Sequence, residues 1–125
     1  MPKKLLKKDS MGTLEVPDSA LYGAQTQRAV NNFPISGLKM PPAFLRTLAL
    51  VKAACATVNK HLKLLEPDIA DAIVAAAETI YDGQYIKDHF PIDVFQTGSG
   101  TSTNMNMNEV IASIASAAQS QAVHP

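Results

Sequence analysis

A single cysteine among 125 residues leaves no partner for an internal disulfide. Cys55, set in an apolar helical pattern, is therefore expected to be a core packing residue in a chain that works in a reducing compartment. Net charge is absent too: 11 basic and 11 acidic side chains cancel. No overall field draws the chain to nucleic acid or to an anionic membrane, so partners must be recognised locally. No apolar run reaches the roughly 18 residues of a membrane span. Met1 to Lys8 has lysines but no apolar stretch long enough for a secretion signal. The expectation is a cytoplasmic chain with no nucleic-acid and no membrane partner. Lys3, Lys4, Lys7 and Lys8, around Leu5 and Leu6, read as a solvated and poorly ordered terminus. No internal repeat is present. With 46% hydrophobic residues the chain can form one domain with a modest core.

What is there is mostly helical punctuation. Met11, Leu14, Val16 and Leu21, interrupted by Gly12 and Pro17, predict a short extended or hairpin-like segment between Ser10 and Leu21, with helix resuming after Pro17. Gly23 to Phe33 predicts a short helix stopped by Asn31, Asn32 and Pro34, and Ile35 to Pro42 a loop. A long amphipathic helix opens at Pro41-Pro42. Its seam is expected along Phe44, Leu48, Val51, Cys55, Val58, Leu62 and Leu65, which step by fours and threes. Pro67, Asp68 and Asp71 start a third helix with Ile69, Ile73, Ala76 and Ile80 on its apolar line and Gly83 as its stop. Asp88 to Pro91 reads as loop and Ile92 to Phe95 as a short apolar piece. Met107, Ile111, Ile114 and Ala118 mark a last helix that frays near Gln119-Ser120-Gln121. The fold class is mainly α, with a hairpin segment near the start.

The stretch from Gln96 to Glu109 carries more hydrogen-bonding groups than a helix needs for its own stability. Gly98 and Gly100 free the backbone before a helix start, and the hydroxyls of Ser99, Thr101, Ser102 and Thr103 cluster where that helix has unpaired N–H groups. Such a site suits an anion, most simply a carboxylate. Competing motifs lack what they require. A nucleophile elbow needs glycines at 97 and 101, where threonines stand. A phosphate loop needs a lysine, and none follows Gly100. A dinucleotide fingerprint needs glycine at 103, where there is Thr103. Asn104, Asn106 and Asn108 are poor helix-interior residues that need partners; Asn104 and Asn108 share a face and Asn106 points away. Met105 and Met107 are expected in the core. His61, His89 and His124 lack the spacing of a metal site, so no metal is expected. His61 is expected to be exposed and His89 to lie in a loop.

Gly23-Ala24-Gln25-Thr26-Gln27-Arg28, Asn32-Phe33-Pro34-Ile35-Ser36 and Gln96 through Ala112 follow one another in the order and spacing of motifs in the class II fumarases, which the chain resembles from about Ser10 to Pro125. Aspartases, in the same superfamily, tend to carry a Gly-Gly-Ala-Gly-Thr loop and an asparagine before the later proline. Ser99 and His124 take the fumarase form. The resemblance implies the N-terminal domain of the fumarase/aspartase fold, with the central helical-bundle and C-terminal domains absent from this chain. It also implies reversible hydration of fumarate to L-malate in the tricarboxylic acid cycle. By the same resemblance no cofactor is expected, and the full-length protein is expected to be a homotetramer whose active sites draw on three subunits.

By the same resemblance Ser99, Gly100 and Thr101 bind a substrate carboxylate; Thr97, Asn104 and Asn108 are the candidate supporting residues. His124 and Pro125 begin a His-Pro motif lining a secondary dicarboxylate site. The basic residue often found just before that motif is replaced by the Gln119 to Gln121 neighbourhood. No catalytic residue is expected in this chain, because nothing near the loop can accept a proton; the loop's part is to stabilise the charge that builds on the carboxylate as a proton leaves the adjacent carbon. Two other classes stand beside this reading: an aspartate ammonia-lyase-like enzyme, and a non-catalytic helical module that binds carboxylates or another protein.

Overall fold

The structure, a computed structural model, describes residues Met1–Pro125. Lys3, Lys4 and Lys8 of the basic terminus are exposed to solvent as expected, but the segment is an ordered strand. β1 (Lys4–Asp9) pairs antiparallel with β2 (Gly12–Pro17), Lys4 opposite Pro17 and Asp9 opposite Gly12. The hairpin therefore starts earlier than the Ser10–Leu21 pattern indicated. The lysine-rich strand shows no alternation of its own because its order comes from the partner's backbone and from two anchors. Asp9 accepts from Arg28 Nη2 at 2.8 Å and Nε at 3.2 Å, and Lys7 Nζ donates to the Tyr22 carbonyl at 2.9 Å. The Arg28 hydrogen bonds hold the Asp9 carboxyl below the usual carboxylate range. Helix does not resume directly after Pro17; α1 (Ala24–Asn32) begins after Gly23.

Pro42 opens α2 (Pro42–His61) at a position where its missing N–H has no bond to lose. The expected seam is rotated. Phe44, Val51, Val58 and Leu62 are 49%, 50%, 55% and 61% exposed, and Cys55 is exposed rather than a core residue. The buried face is Leu45, Ala49, Ala53 and Ala56, with Leu48 half-buried. One residue turns a helix by about 100°, so the two lines are neighbours on the cylinder. The partner decides between them. α3 (Pro67–Tyr81) presents Ala70, Ala76 and Ala77, all buried, and two alanine stripes bring the helix backbones into close contact. Apart from Leu45 and the half-buried Leu48, the larger apolar residues of α2 are left outside.

Both helices end in the same hydrogen-bonded reversal. After α3, the Gly83 N–H donates to Ile80 O and Gln84 N–H to Thr79 O, with Gly83 at φ +102°. After α2, Lys63 N–H donates to Lys60 O and Leu64 N–H to Asn59 O. Here a lysine at φ 59° holds the left-handed position that glycine usually takes.

α4 (Thr101–Ala117) runs through the middle of the fold, burying Met107, Val110, Ile111 and Ala115; Ala118, expected on its apolar line, is exposed. Val16, Tyr22, Leu45, Ile80 and Phe90 join these residues in one core. α4 also caps α1. The buried Glu109 carboxylate accepts from Gln25 N–H, Thr26 N–H at 2.8 Å and the Thr26 hydroxyl, placing negative charge at the positive end of α1. A side chain at Gly23 would force that carboxylate to shift, because its Cβ would crowd Glu109 Oε2. No helix is long and apolar enough to cross a membrane.

Candidate carboxylate-binding site

The turn before α4 is held from behind by Asp93. Its buried carboxylate accepts from the Phe95, Ser36 and Gly37 N–H groups and from the Ser36 hydroxyl. Those bonds, led by the Phe95 N–H, bring its pKa down to about 2. The loop after α1 and the approach to the turn are thus tied at one point. Gln96 carries the order forward. Its Nε2 donates to the Asp93 carbonyl, while its Oε1 accepts both the N–H and the hydroxyl of Thr103 at 2.9 Å. Thr97 Oγ1 accepts from Ser102 N–H at 3.2 Å and lies 3.0 Å from the Ser102 hydroxyl.

Side chains of the protein itself therefore occupy two of the N–H groups at the start of α4. Ser102 and Thr103, expected among the ligand-facing hydroxyls, are buried and part of the scaffold. What is left open is narrower than the sequence indicated. Ser99 and Thr101 are exposed, and neither takes part in the ties that Thr97, Gln96, Ser102 and Thr103 make. Gly100 sits at φ +76°, and a Cβ built at Gly98 or Gly100 meets nothing within 4 Å. Bare backbone, two hydroxyls and a helix N-terminus face free space, an arrangement that can receive one carboxylate.

The three asparagines divide as their spacing implies. Asn106 is buried and donates to the His89 carbonyl at 2.9 Å. His89 in turn accepts the Leu21 N–H at Nδ1, and burial pushes its pKa down. Asn104 and Asn108 lie on the face that also carries Thr101, at steps of three and four residues. Asn104 Oδ1 accepts from Lys52 Nζ of α2 at 2.6 Å. Asn108 lines a cleft of about 200 Å³ between α2, α3 and α4, and His124 and Pro125 stand at the same cleft. The loop and the cleft are separate places, roughly 10 Å apart along the helix from Thr101 to Asn108 at 1.5 Å per residue. Thr97 belongs to the scaffold of the turn. No group of three or more His, Cys, Asp or Glu side chains is placed to hold a metal. Met107 is fully buried, Met105 half-buried and His61 exposed.

Sequence reasoning missed Asp93 and Lys52, and placed Gln96 in the polar stretch without giving it a part in the scaffold. Gln96 precedes its partner by seven residues, beyond the three-residue span of a capping box. Asp93 works across a separation of 57 residues and Lys52 across 52, so no local signal marks them.

A family model described as lyase matches residues 12–125. The chain belongs to this family. It is 63% identical over 110 residues to the class II fumarate hydratase of Mycobacterium tuberculosis (strain ATCC 25618 / H37Rv), covering 88% of this chain and 23% of that protein. It is 53% identical over 120 residues to fumarate hydratase class II 2 of Pseudomonas aeruginosa, covering 96% of this chain and 26% of that protein. Among solved structures, the recombinant class II fumarase of Schistosoma mansoni superposes with a TM-score of 0.88 at 40% identity, over 91% of this chain and 24% of that one. Native fumarate lyase:delta crystallin of Brucella melitensis gives 0.89 at 43% identity, over 96% and 28%. These names agree with the motif resemblance to class II fumarases, and the shared fold agrees with the mainly α architecture and its N-terminal hairpin. The chain spans only about a quarter of the length of its relatives.

Proposed function

We propose that the chain supplies one carboxylate-binding part of a composite active site for the reversible hydration of fumarate to L-malate. The observation that carries this reading is the turn at Ser99, Gly100 and Thr101. Its scaffold is satisfied internally through Gln96 and Thr97, and the exposed hydroxyls of Ser99 and Thr101 take no part in that scaffold. Relatives named class II fumarate hydratase, at 53–63% identity, support the choice of reaction.

In this reading the substrate carboxylate sits at the turn. When a proton leaves the neighbouring carbon, that carboxylate gains a second negative charge, which the aligned N–H and O–H dipoles of the turn stabilise without having to reorganise. The chain provides no proton acceptor beside Ser99 or Thr101, so the base comes from another part of the full-length protein. His124 and Pro125, with Asn108 beside them, form a secondary dicarboxylate site at the cleft. The same reading makes the chain the N-terminal domain of a cytoplasmic, homotetrameric enzyme of the tricarboxylic acid cycle, consistent with its match to about a quarter of each relative.

The test is Thr101→Val in the full-length protein, followed by absorbance of the fumarate double bond. Losing one donor whose bond strengthens as charge develops costs about 2.7–4 kcal/mol, or roughly a hundred- to a thousandfold in kcat. Unchanged kcat and KM with a lowered Tm would make the hydroxyl part of the scaffold and end the assignment. The 125-residue chain by itself should show no hydration above background.

A further inference from the structure

Two half-buried lysines, Lys7 and Lys52, have no ion pair, and of the two only Lys52 lines a cleft free of carboxylate side chains. The ion pairs of the structure are Lys4–Glu15, Arg28–Asp9 and Lys60–Asp71. No carboxylate lies within ion-pair distance of the Lys52 Nζ. Its one protein partner is a neutral oxygen, Asn104 Oδ1, at 2.6 Å. An ammonium drawn partly out of water gives up hydration that a single amide oxygen replaces only in part.

The surroundings of Lys52 are matched to an anion. The cleft it lines has Asn59, Asn108 and His124 as its other polar side chains and no Asp or Glu, over an apolar floor that includes Ile73 and Ile111. Each of those polar groups can donate a hydrogen bond. A mostly apolar concavity with a few convergent donors and one cation is what a small carboxylate ligand requires. The apolar floor also lowers the local dielectric, which strengthens the attraction between Lys52 and an anion. The residues before His124 offer no charge: Gln119 and Gln121 are neutral.

We propose that Lys52 is the charge-bearing residue of the cleft, binding one carboxylate of a small dicarboxylate that the Asn59 and Asn108 amides orient. This rests on the reading of His124 and Pro125 as a secondary dicarboxylate site, and adds the cation that the His-Pro neighbourhood lacks. Asn104 is then a positioning residue. Its Oδ1 holds the lysine against α4, on the same helix face as Thr101, so the cleft and the turn share one rigid support.

The experiment is an NMR titration of isotope-labelled protein with succinate, a saturated dicarboxylate that cannot be hydrated. It reads the side-chain amides of Asn59 and Asn108, the ε-carbon of Lys52, and the backbone amides of Ser99 to Thr101. Saturable shifts in the first group are expected, with Kd rising tenfold or more in Lys52→Met and by less in Lys52→Arg. Equal affinity in the wild type and Lys52→Met would overturn the proposal. Shifts confined to Ser99–Thr101 would also overturn it while leaving the turn's role intact, whereas no shift at either place would count against both. Should Lys52→Met fail to fold, the wild-type titration and Lys52→Arg decide: saturable cleft shifts retained by the arginine variant support the proposal, and their absence overturns it.

Discussion

Replacing Gln96 with leucine should separate the scaffold of the turn from its ligand-facing groups. Leucine is close to glutamine in volume but offers neither acceptor nor donor. The change strips the acceptor from the Thr103 N–H and hydroxyl and the donor from the Asp93 carbonyl. Thr103 is 3% exposed, so water cannot readily replace what is lost. A buried group left without its partner costs about 1–3 kcal/mol. The Thr103 hydroxyl can rotate, which leaves its N–H and the Asp93 carbonyl as the main penalties, and the net loss should be about 2–4 kcal/mol. Against the ~5–15 kcal/mol by which domains are stable, that is a large fraction.

The assay is urea unfolding followed by circular dichroism, with an unchanged m-value as the sign that the native state keeps its compactness. Thr103→Val should be run in the same cycle, since it removes one of the two donors that Gln96→Leu orphans. The double variant should lose less than the sum of the singles, by about 0.5–2 kcal/mol of coupling. A loss under about 0.5 kcal/mol for Gln96→Leu, the range of an ordinary surface change, would refute the argument that Gln96 holds the helix start.

Leu45→Ala should cost about 2–5 kcal/mol because Leu45 is 2% exposed, while Val58→Ala should stay within about 0.5 kcal/mol; thermal unfolding of both distinguishes the observed face of α2 from the one its spacing indicated. Lys63→Gly should stabilise by up to about 1 kcal/mol, since the left-handed conformation costs a lysine about 1–2 kcal/mol and the glycine returns part of that as unfolded-chain entropy; a lowered Tm would contradict it. Asp93 is held at a pKa of about 2 by the Phe95, Ser36 and Gly37 donors, below the unfolded value near 3.9. Its contribution is therefore complete above about pH 4 and is lost as pH falls toward 2. The stability gap between the wild type and Asp93→Asn should narrow over that window in acid titrations of unfolding, and a gap independent of pH would remove the carboxylate from the account.

Much of this protein was legible from local pattern. The helix limits at Pro42, Pro67 and Gly83 follow from backbone chemistry that acts within a few residues, and so does the division of Asn104 and Asn108 from Asn106, which is a matter of angle around a helix. The motif order from Gly23 to Ala112 was enough to recognise the family resemblance. Whatever depended on a partner distant in sequence was not available. Leu45, Ala49 and Ala53 win the buried face of α2 over Val51, Cys55 and Val58 only because α3 answers with alanines at 70, 76 and 77. The lysine-rich start becomes a strand only when β2 and Arg28 are there to hold it. The hydroxyls of the turn sort into scaffold and open groups only once Gln96 and Thr97 fold back onto the helix start. Local preference sets where elements begin and end, at short range along the chain; which face is buried and which donor is left free is settled by contacts that exist only after the elements have packed.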